Sequence, residues 1–414
     1  MSNKNKLKIL FLSQRFLFPM DTGGKIRTGN ILRKLKERAS LTVISNVESP
    51  KDDQYVPQMN QLCDKFIPVP WKEMERYTLK FYLKILAQSF SKYPINVLND
   101  YSNELEKAVL DELKNEQYDL AICDFLQSTL NFQHVNSGVP TLMFQHNVEA
   151  DITRRHLDRA GNIVEKIFWG LQHKRMMRHE GEMCNKFDGT IAVSATDKER
   201  MEEYFGATRV YDIPTGVDTD FFKPNPEIQE KQRLVFTGSM DWLPNEDAML
   251  WFVEKIFPLI KKEAPQTDLV IVGRKPTPAI QKLVDNHSDI TLTGWVEDTR
   301  PYMHESAVFI VPIRIGGGTR MKIYEALAMG KSMVSTAVGA EGLPLEHGKH
   351  LFYADTEADF AKYTLQLLRD DAQRKQMGKT ARQYVYDHFR WEKVAEVFED
   401  VCQRVIDYSN NEKS

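Results

Sequence analysis

The chain has 414 residues, of which 42% are hydrophobic and 27% are charged, and its formal net charge is -3. This length is too great for one ordinary hydrophobic core and suits two domains, and the composition excludes collagen-like, repetitive and low-complexity proteins. The small net charge gives no global reason for the chain to bind nucleic acid or an anionic surface.

The cysteines and the apolar runs indicate in which cellular compartment the protein is found. The chain has four cysteines with no paired spacing, which argues against a zinc site or a disulfide framework and fits a reducing cytosol. No apolar run has the length of a signal peptide or of a membrane span. We therefore expect a cytoplasmic protein whose only membrane contact is peripheral, at the inner face of the membrane.

The first half of the chain alternates apolar runs with helical patterns. The predicted segments are a strand at 7–12, a loop at 14–24, a helix at 25–38 and strands at 41–45, 118–123, 141–145 and 190–194. A strand, a glycine-containing loop, a helix and a second strand in this order indicate a βαβ unit with parallel pairing. We predict a first domain at 1–213.

The composition changes at 214–226, which contains three prolines and a glycine, and we predict an interdomain linker at 214–232.

A second alternating series of strands and helices follows within a predicted domain at 233–388. Its segments are strands at 234–236, 269–272, 290–293, 308–312 and 333–335 and helices at 247–261, 279–284 and 321–329. Strict alternation requires a parallel sheet covered on both faces, so both domains are predicted to be doubly wound α/β folds.

The C-terminal segment at 389–414 is predicted to be a helix that crosses back to the first domain. Valines and a phenylalanine recur at helical spacing within 391–408, so this helix needs an apolar surface to lie against. Residues 410–414 are expected to be disordered.

The three glycines at 316–318 lie between a predicted strand and a predicted helix. Unpaired backbone N–H groups at such a turn, together with the helix dipole, suit a phosphate. Arg314, Arg320 and Lys322 would add positive charge, and Glu325 could accept hydrogen bonds from the hydroxyls of a ribose. The alternative is a tight strand-to-helix turn with a solvated charged face.

The segment at 312–343 resembles the signature of retaining glycosyltransferases of family 4, which have the GT-B fold. Further similar segments are 213–222, 236–238, 270–273 and 293–296. The most similar members are bacterial sugar transferases of exopolysaccharide and envelope-glycan clusters. The resemblance implies two Rossmann-like domains facing each other across a cleft, with the nucleotide sugar in the second domain and the acceptor in the first.

The resemblance also implies donor-binding residues. These are Gly23, Gly24, Gly238, Ser239, Val296, Arg314, Gly317, Gly318, Thr319, Arg320, Met321, Lys322 and Glu325. Glu325 matches the second glutamate of the family's Glu-x7-Glu motif, whereas the first falls on Gly317. Ser239 stands where the family has an arginine, and its lysine partner is also absent near Pro244. Other cations must therefore hold the diphosphate.

His146 matches the family histidine that lies over the donor sugar, and we predict catalytic roles for His146 and Glu325. His146 follows a predicted parallel strand, where open α/β sheets place their ligands. The alternative is a structural histidine that caps the following helix. Asp124, at another strand end, is similarly ambiguous, and the pair Gly23 and Gly24 could be an ordinary helix entry.

A basic stretch at 154–179 carries Val164, Ile167, Phe168 and Leu171 at helical spacing. Such a segment can lie on an anionic bilayer, which would suit a lipid-linked acceptor. The interpretation we favour is a helix whose apolar side faces the core and whose basic side is solvated.

These patterns predict transfer of a sugar from a nucleotide diphosphate sugar to a glycan or lipid-linked hydroxyl, with the anomeric configuration retained. We expect no cofactor and no metal, because no carboxylate or histidine cluster is typical of a metal site. A sugar-nucleotide 2-epimerase or a phosphorylase could use the same two-domain frame. A non-catalytic protein that binds a nucleotide sugar is the alternative from another class.

Overall fold

The computed structural model of the chain describes residues 6–72, 78–135, 138–315 and 321–412, without the side chains of 79–82. Backbone packing divides the chain into two compact units. The first unit is Met1–Pro214 with Val394–Ser414, and the second is Thr215–Lys393. In the described part of the chain, no helix has both the length and the apolar character that crossing a membrane requires.

The first unit contains a parallel sheet of seven strands in the order β3-β2-β1-β4-β5-β6-β7 among the described residues. The strands are β1 Lys8–Ser13, β2 Ser40–Val47, β3 Lys65–Pro70, β4 Leu120–Asp124, β5 Thr141–Phe144, β6 Gly189–Ala192 and β7 Val210–Asp212. The central strands are nearly continuous apolar runs; residues 9–12 of β1, for example, are completely buried. Such runs are typical of parallel strands that are covered on both faces.

Helices connect these strands. They are α1 Gly23–Leu35, α2 Val56–Leu62, α3 Leu79–Gln88, α4 Ile95–Asn99, α5 Asn103–Asn115, α6 Glu149–Arg159, α7 Ile163–Lys186 and α8 Ala195–Phe205. The sequence order of the strands reverses at β1, which pairs with β2 on one side and with β4 on the other. In open α/β sheets, ligands bind at the carboxyl ends of the two strands where this reversal occurs.

The second unit repeats this architecture with a parallel sheet in the order β10-β9-β8-β11-β12-β13. The strands are β8 Lys231–Thr237, β9 Asp268–Val272, β10 Ile290–Leu292, β11 Ser306–Val311, β12 Ser332–Ser335 and β13 Phe352–Tyr353. Here the order reverses at β8, which pairs with β9 and β11. The prediction of two doubly wound, Rossmann-like α/β folds is confirmed.

The helices of the second unit differ from the predicted pattern at one point. They are α9 Leu243–Trp251, α10 Phe257–Glu263, α11 Pro278–Asp285, α12 Arg300–Glu305, α13 Met321–Ala328, α14 Glu357–Arg369 and α15 Asp371–His388. The single helix predicted at 247–261 starts earlier and contains a π-helical segment, Phe252–Ile256, between α9 and α10. Pro258 explains this segment, because a proline has no N–H to donate and its ring clashes with the preceding turn.

The last helix, α16 Trp391–Glu412, joins the first unit from Val394 onward. Its Phe398 ring meets the Phe144 ring edge to face at 5.4 Å. The predicted packing of the C-terminal helix on the first domain is therefore confirmed. The expected disorder from residue 410 is wrong as far as Glu412, because the helix continues to that residue and Tyr408 donates a hydrogen bond to its carboxylate.

The favoured interpretation of the basic stretch is also wrong. The stretch forms the end of α6 and most of α7, and four apolar side chains of α7 point to solvent instead of the core. Their exposed fractions are 69% for Ile163, 73% for Val164, 66% for Ile167 and 41% for Leu171. The spacing correctly indicates that these side chains share one helix face, but spacing alone does not say what that face meets.

Candidate active site

A buried polar cluster lies at the carboxyl ends of β1, β4 and β5 in the first unit. His146 follows β5, and its Nε2 lies 2.7 Å from Oδ1 of Asp124, the last residue of β4. Thr28 of α1 donates to the other carboxylate oxygen of Asp124 at 3.0 Å. The Asp124 carboxylate is fully buried and the His146 side chain is only 2% exposed. The two residues that were singled out at neighbouring strand ends therefore contact each other.

The protonation of His146 follows from its partners. Arg27 Nη1 lies 3.2 Å from His146 Nδ1, and a guanidinium can only donate, so Nδ1 accepts this hydrogen bond. We therefore assign the proton to Nε2, which donates it to Asp124. Burial lowers the pKa of His146, and the charge of Asp124 opposes this effect only in part, so the ring is neutral. Its predicted catalytic role stays a prediction.

The packing of two aromatic rings explains why a glycine is required near the start of α1. The Phe125 ring stacks on the His146 ring with the centroids 4.0 Å apart. A Cβ on Gly24 would lie 2.5 Å from Cζ of Phe125, so no other residue fits this position without movement of that ring. Gly23 is the first residue of α1. Gly24 thus lets the start of α1 lie against the histidine cluster.

A carboxylate that the sequence analysis missed caps α6. Glu180 of α7 is completely buried and accepts hydrogen bonds from the backbone N–H groups of Glu149 and Ala150 at 2.9 and 2.7 Å. Its pKa is raised to about 8 by burial, whereas these donors act in the opposite direction. The cap that the alternative interpretation gave to His146 is therefore made by a residue 34 positions later in the sequence.

In the second unit, Lys322 lies close to the backbone that follows β8. Its Nζ donates to Oδ1 of Asn245 at 3.0 Å and lies 4.0 Å from the centroid of the Phe236 ring. A Cβ on Gly238 would come within 2.8 Å of this Nζ and within 2.6 Å of the Asn245 amide nitrogen. Gly238 therefore makes room for a cation beside the end of the strand.

A second cation, Arg274, follows β9. Its Nε donates to Ser239 Oγ at 3.3 Å, and Ser239 Oγ donates to Asp241 Oδ1 at 2.5 Å. Arg274 thus places a guanidinium beside the position where the family has an arginine. Arg274 is not among the residues predicted from the sequence, although its place directly after a parallel strand was an available signal.

Arg314 is tied to other side chains. Its Nη2 and Nε donate to the two carboxylate oxygens of Asp247 at 2.6 and 3.1 Å, and its guanidinium lies 4.8 Å from the centroid of a Trp251 ring. This paired, fork-like geometry holds the guanidinium in place. A phosphate that approached Arg314 would compete with Asp247.

Glu325 lies on α13, three residues after Lys322, and is half-buried. Burial raises the pKa of its carboxyl to about 7, and the charge of Lys322 opposes this shift. Met321 is the first residue of the same helix, and Val296 follows β10 and packs against the core of the unit. Glu325 is thus a carboxyl that changes its charge near neutral pH beside a cation.

The glycine turn between β11 and α13 falls outside the described residues. This applies to Gly317, Gly318, Thr319 and Arg320, and also to Gly316. The phosphate-binding turn therefore stays a prediction. Among residues 6–72, 78–135, 138–315 and 321–412, no group of three histidine, cysteine or acidic side chains is arranged to hold a metal ion.

Family models match both halves of the chain. The model described as Glycosyltransferase Family 4 matches residues 30–221, and the model described as Glycosyl transferases group 1 matches residues 231–370.

A relative from Klebsiella pneumoniae, described as an uncharacterized 44.6 kDa protein in the cps region, is 21% identical over 94% of this chain and 97% of its own length. A Mycobacterium tuberculosis relative is described as a GDP-mannose-dependent alpha-(1-6)-phosphatidylinositol monomannoside mannosyltransferase. It is 28% identical over 50% of this chain, and the match spans 60% of that protein.

Solved structures agree with the observed fold. The crystal structure of Anabaena HepE in complex with UDP has a TM-score of 0.66 at 13% sequence identity, and the match covers 96% of this chain and 100% of that one. At this identity the likeness shows the fold alone. The two family models, which together match most of the chain, show that it belongs to the family 4 glycosyltransferases. The likeness to the solved structure shows that it has their GT-B fold.

Proposed function

We propose that the protein transfers a sugar from a nucleoside diphosphate sugar to a hydroxyl of a glycan or lipid-linked acceptor in bacterial polysaccharide biosynthesis, with retention of the anomeric configuration. The observation that carries this proposal is the placement of Lys322, Arg274 and Glu325 near the carboxyl ends of β8, β9 and β11. Two of the similar proteins support the donor class, because HepE was crystallised with UDP and the mycobacterial enzyme is described as GDP-mannose-dependent.

In this proposal the cations bind the diphosphate. Lys322 supplies an ammonium group above Gly238, and Arg274 supplies a guanidinium beside Ser239. Among the described residues no side chain donates a hydrogen bond to the Glu325 carboxylate, so its oxygens can accept from the two ribose hydroxyls. Ribose binding would favour the ionised form of a carboxyl whose pKa is about 7 without the donor.

Catalysis would rest on electrostatic stabilisation of the departing nucleoside diphosphate. The acceptor oxygen bonds to the anomeric carbon as the bond to the phosphate oxygen breaks, and the acceptor proton passes to the departing diphosphate. His146 would support this step through a hydrogen bond to the donor sugar. Since Asp124 and Arg27 already engage its two ring nitrogens, a sugar hydroxyl would have to replace Arg27 at Nδ1.

A thermal-shift screen of nucleoside diphosphates and their sugars tests this proposal, because a ligand that binds only the native state raises the melting temperature. We expect one base to stabilise the protein in both its diphosphate and sugar forms, followed by transfer to a saccharide acceptor. Conversion of the donor sugar without an acceptor would favour an epimerase instead. Binding without turnover across a broad acceptor panel would favour a non-catalytic protein.

The proposal includes a peripheral contact with an anionic membrane. The exposed apolar side chains of α7 continue along the helix into exposed Lys174 and Arg178. Leu86 of α3 is 59% exposed, and Phe90, in the turn after α3, is 85% exposed. Arg175 of α7 donates to Ser89 O in this turn at 2.5 Å. Apolar and basic side chains on one surface are what an interfacial helix presents to anionic lipid.

Flotation with liposomes tests this contact. We expect the wild-type protein to float with vesicles that contain phosphatidylglycerol and to remain unbound with pure phosphatidylcholine. The double variant Ile163→Ser and Ile167→Ser should lose this binding, whereas Tyr204→Ser on α8, which is 41% exposed, serves as the matched control. Binding that does not depend on anionic lipid would contradict the contact.

A further inference from the structure

Phe125 has an unusual backbone conformation. It directly follows Asp124, the last residue of β4, and has a φ of 65° and a ψ of 142°. In the described part of the chain, the only other non-glycine residue with a positive φ is Lys275. This conformation is unfavourable for a bulky residue, because its Cβ comes too close to a backbone carbonyl oxygen. Such strain persists only where the surrounding structure enforces it, and it is concentrated at functional sites.

Hydrogen bonds hold the backbone of Phe125 on both sides. Its N–H donates to Phe144 O at 2.8 Å, which extends the pairing of β4 with β5 by one residue. Its carbonyl accepts from Ser128 N at 3.1 Å, in the turn that follows. A change to a negative φ would disturb one or both of these bonds, so the strained conformation is enforced by its neighbours.

The strained conformation brings two consecutive side chains to one imidazole. Successive side chains of a strand point to opposite faces of the sheet, so the residue after Asp124 would ordinarily point away from His146. Instead, Asp124 Oδ1 lies 2.7 Å from His146 Nε2, and the Phe125 ring also stacks on the imidazole, at 4.0 Å and an interplanar angle of 17°. The positive φ therefore has a specific effect, since it turns the Phe125 ring towards the side of the sheet that carries His146.

The two contacts restrict the His146 ring in different ways. The hydrogen bond to Asp124 fixes the direction of Nε2, but it allows the ring to tilt about that bond. The Phe125 ring covers one face of the imidazole and thereby fixes its plane. The Phe144 ring, whose centroid lies 4.3 Å from that of the imidazole, is tilted by 44° and provides a second apolar contact. The direction and the plane together determine where Nδ1 lies.

Packing of the core alone would not require this strain. The next residue, Leu126, is 1% exposed and belongs to the core of the first unit without a positive φ. The Phe125 ring instead lies against polar groups, because besides the imidazole it contacts the Arg15 guanidinium, 5.0 Å from its centroid. A conformation that lowers stability and serves a contact with a polar side chain is typical of a functional site.

We propose that Phe125 is a positioning residue for His146. Its ring keeps the imidazole in the plane in which Nδ1 can accept a hydrogen bond from a hydroxyl of the donor sugar, and the strained backbone is what places the ring there. This proposal rests on the proposed glycosyl transfer, in which His146 contacts that sugar. Phe125 acts through the histidine and does not itself touch the donor.

Carbon-13 relaxation of the His146 ring measures this positioning directly. The chain has 10 histidines, so comparison of histidine-labelled wild type with His146→Gln identifies the signals of this ring. We expect an order parameter of about 0.85 in the wild type, as in rigid backbone, and a decrease towards about 0.6 in Phe125→Leu. Phe132→Leu is the matched control, because Phe132 is only 3% exposed but its ring meets that of Phe187. Unchanged ring order in Phe125→Leu would overturn the proposal.

Thermal denaturation tests whether the backbone at Phe125 is strained. Phe125→Ala and Phe125→Gly both remove the ring, but only alanine keeps a Cβ, which disfavours a positive φ. We therefore expect the glycine variant to melt at a higher temperature than the alanine variant. The reverse order is usual where φ is negative, since glycine loses more conformational entropy on folding. That reverse order would show that Phe125 carries no strain, which contradicts the proposal.

Transfer kinetics separate positioning from donor binding. The donor is UDP-glucose or GDP-mannose, whichever raises the melting temperature of the wild type, and the acceptor is the saccharide found in the transfer assay. Phe125→Leu should lower kcat about 10- to 100-fold, because a small displacement of a group at the reacting centre slows the reaction strongly. The KM for the donor should stay within about twofold, and Phe132→Leu should change neither constant. A higher KM with unchanged kcat would show that Phe125 itself binds the donor, and would overturn its positioning role.

These experiments also distinguish this proposal from the proposed function. If the wild type transferred no sugar, the proposed function would fail, whereas the ring order of His146 would still decide whether Phe125 positions it. If the wild type transferred a sugar and Phe125→Leu kept the wild-type kcat, only the positioning role would fail.

Discussion

Each unit has a polar cluster where the strand order of its sheet reverses. The two clusters differ in how far their polar groups already have hydrogen-bond partners within the protein. In the first unit, Asp124 and His146 are almost completely buried and bonded to each other and to α1. In the second unit, Lys322 and Glu325 are partly exposed, and Glu325 receives no side-chain hydrogen bond from the described residues. The first cluster is therefore organised in advance, whereas the second keeps acceptor groups that a ligand can use.

Breaking the first cluster should have the largest effect. Asp124→Ala leaves the His146 Nε2–H and the Thr28 hydroxyl without their acceptor. Each hydrogen bond to a charged group contributes about 1.5–3 kcal/mol, and two are lost, so we expect the free energy of unfolding to fall by about 3–5 kcal/mol. Urea denaturation, with hydrogen exchange of peptides from β4 and β5, measures this loss.

Asp158→Ala is the matched control for this variant. Asp158 and its partner Arg154 are 60% and 62% exposed, so this substitution should cost at most about 1 kcal/mol. Equal losses in the two variants would show that the buried cluster contributes nothing beyond an ordinary surface pair.

Breaking the second cluster should affect binding and leave the fold intact. Glu325→Ala removes the proposed ribose acceptor, and hydrogen bonds to a charged group contribute about 1.5–3 kcal/mol. We expect the donor affinity to fall about 10- to 100-fold in calorimetric titration. The melting temperature without ligand should stay the same or rise, because a half-buried carboxyl is lost. Unchanged donor affinity would refute the ribose assignment.

The pH dependence of donor affinity gives a second test of the cluster in the second unit. The pKa of Glu325 is about 7 without the donor, and the ribose hydroxyls bind the ionised carboxylate. Donor affinity should therefore be constant above this pKa and fall as the pH drops below it, by about tenfold per unit at most. A nucleotide sugar is the appropriate probe, since its diphosphate does not titrate near neutral pH.

Glu325→Gln is the control for this pH dependence. The amide is similar in shape but does not titrate, so its affinity profile should be flat across the same range. A wild-type profile that is also flat would mean that Glu325 does not bind the donor in its ionised form.

Removal of metal ions should have the smallest effect on donor binding and transfer. We expect donor binding and transfer to be unchanged after dialysis against EDTA, because cationic side chains carry the proposed role of stabilising the diphosphate. A requirement for divalent ions, restored by adding magnesium or manganese, would show that these side chains are insufficient.

The sequence predicts the parts of the fold that depend on local pattern. The apolar runs and helical spacings locate most of the central strands. In contrast, β3 (KFIPVP) was missed, because its two prolines argue against a strand. Its position at the edge of the sheet explains why they are tolerated: within the described residues β3 pairs with β2 alone, so one side of its backbone has no strand to bond to.

The candidate site was predicted in the same uneven way. Residues at strand ends, such as Asp124 and His146, could be found from their positions. Arg27, which bonds to His146, and Glu180, which caps the helix that follows it, could not be found, because they come from distant parts of the sequence and meet the site only through the fold. The apolar face of α7 shows a further limit, since helical spacing reveals a face but not whether the core or the solvent covers it.

The position of α16 has a consequence for the order in which the protein is made. Its residues from Val394 onward complete the first unit, yet the ribosome synthesises them after the whole second unit. Until they emerge, Phe144 and the surface around Gly189, where Val405 packs, lack their cover. A premature stop codon after residue 390 would therefore leave the sheet of the second unit intact. The first unit, although translated earlier, would lack its last helix, and its uncovered apolar surface would make the truncated chain prone to aggregation.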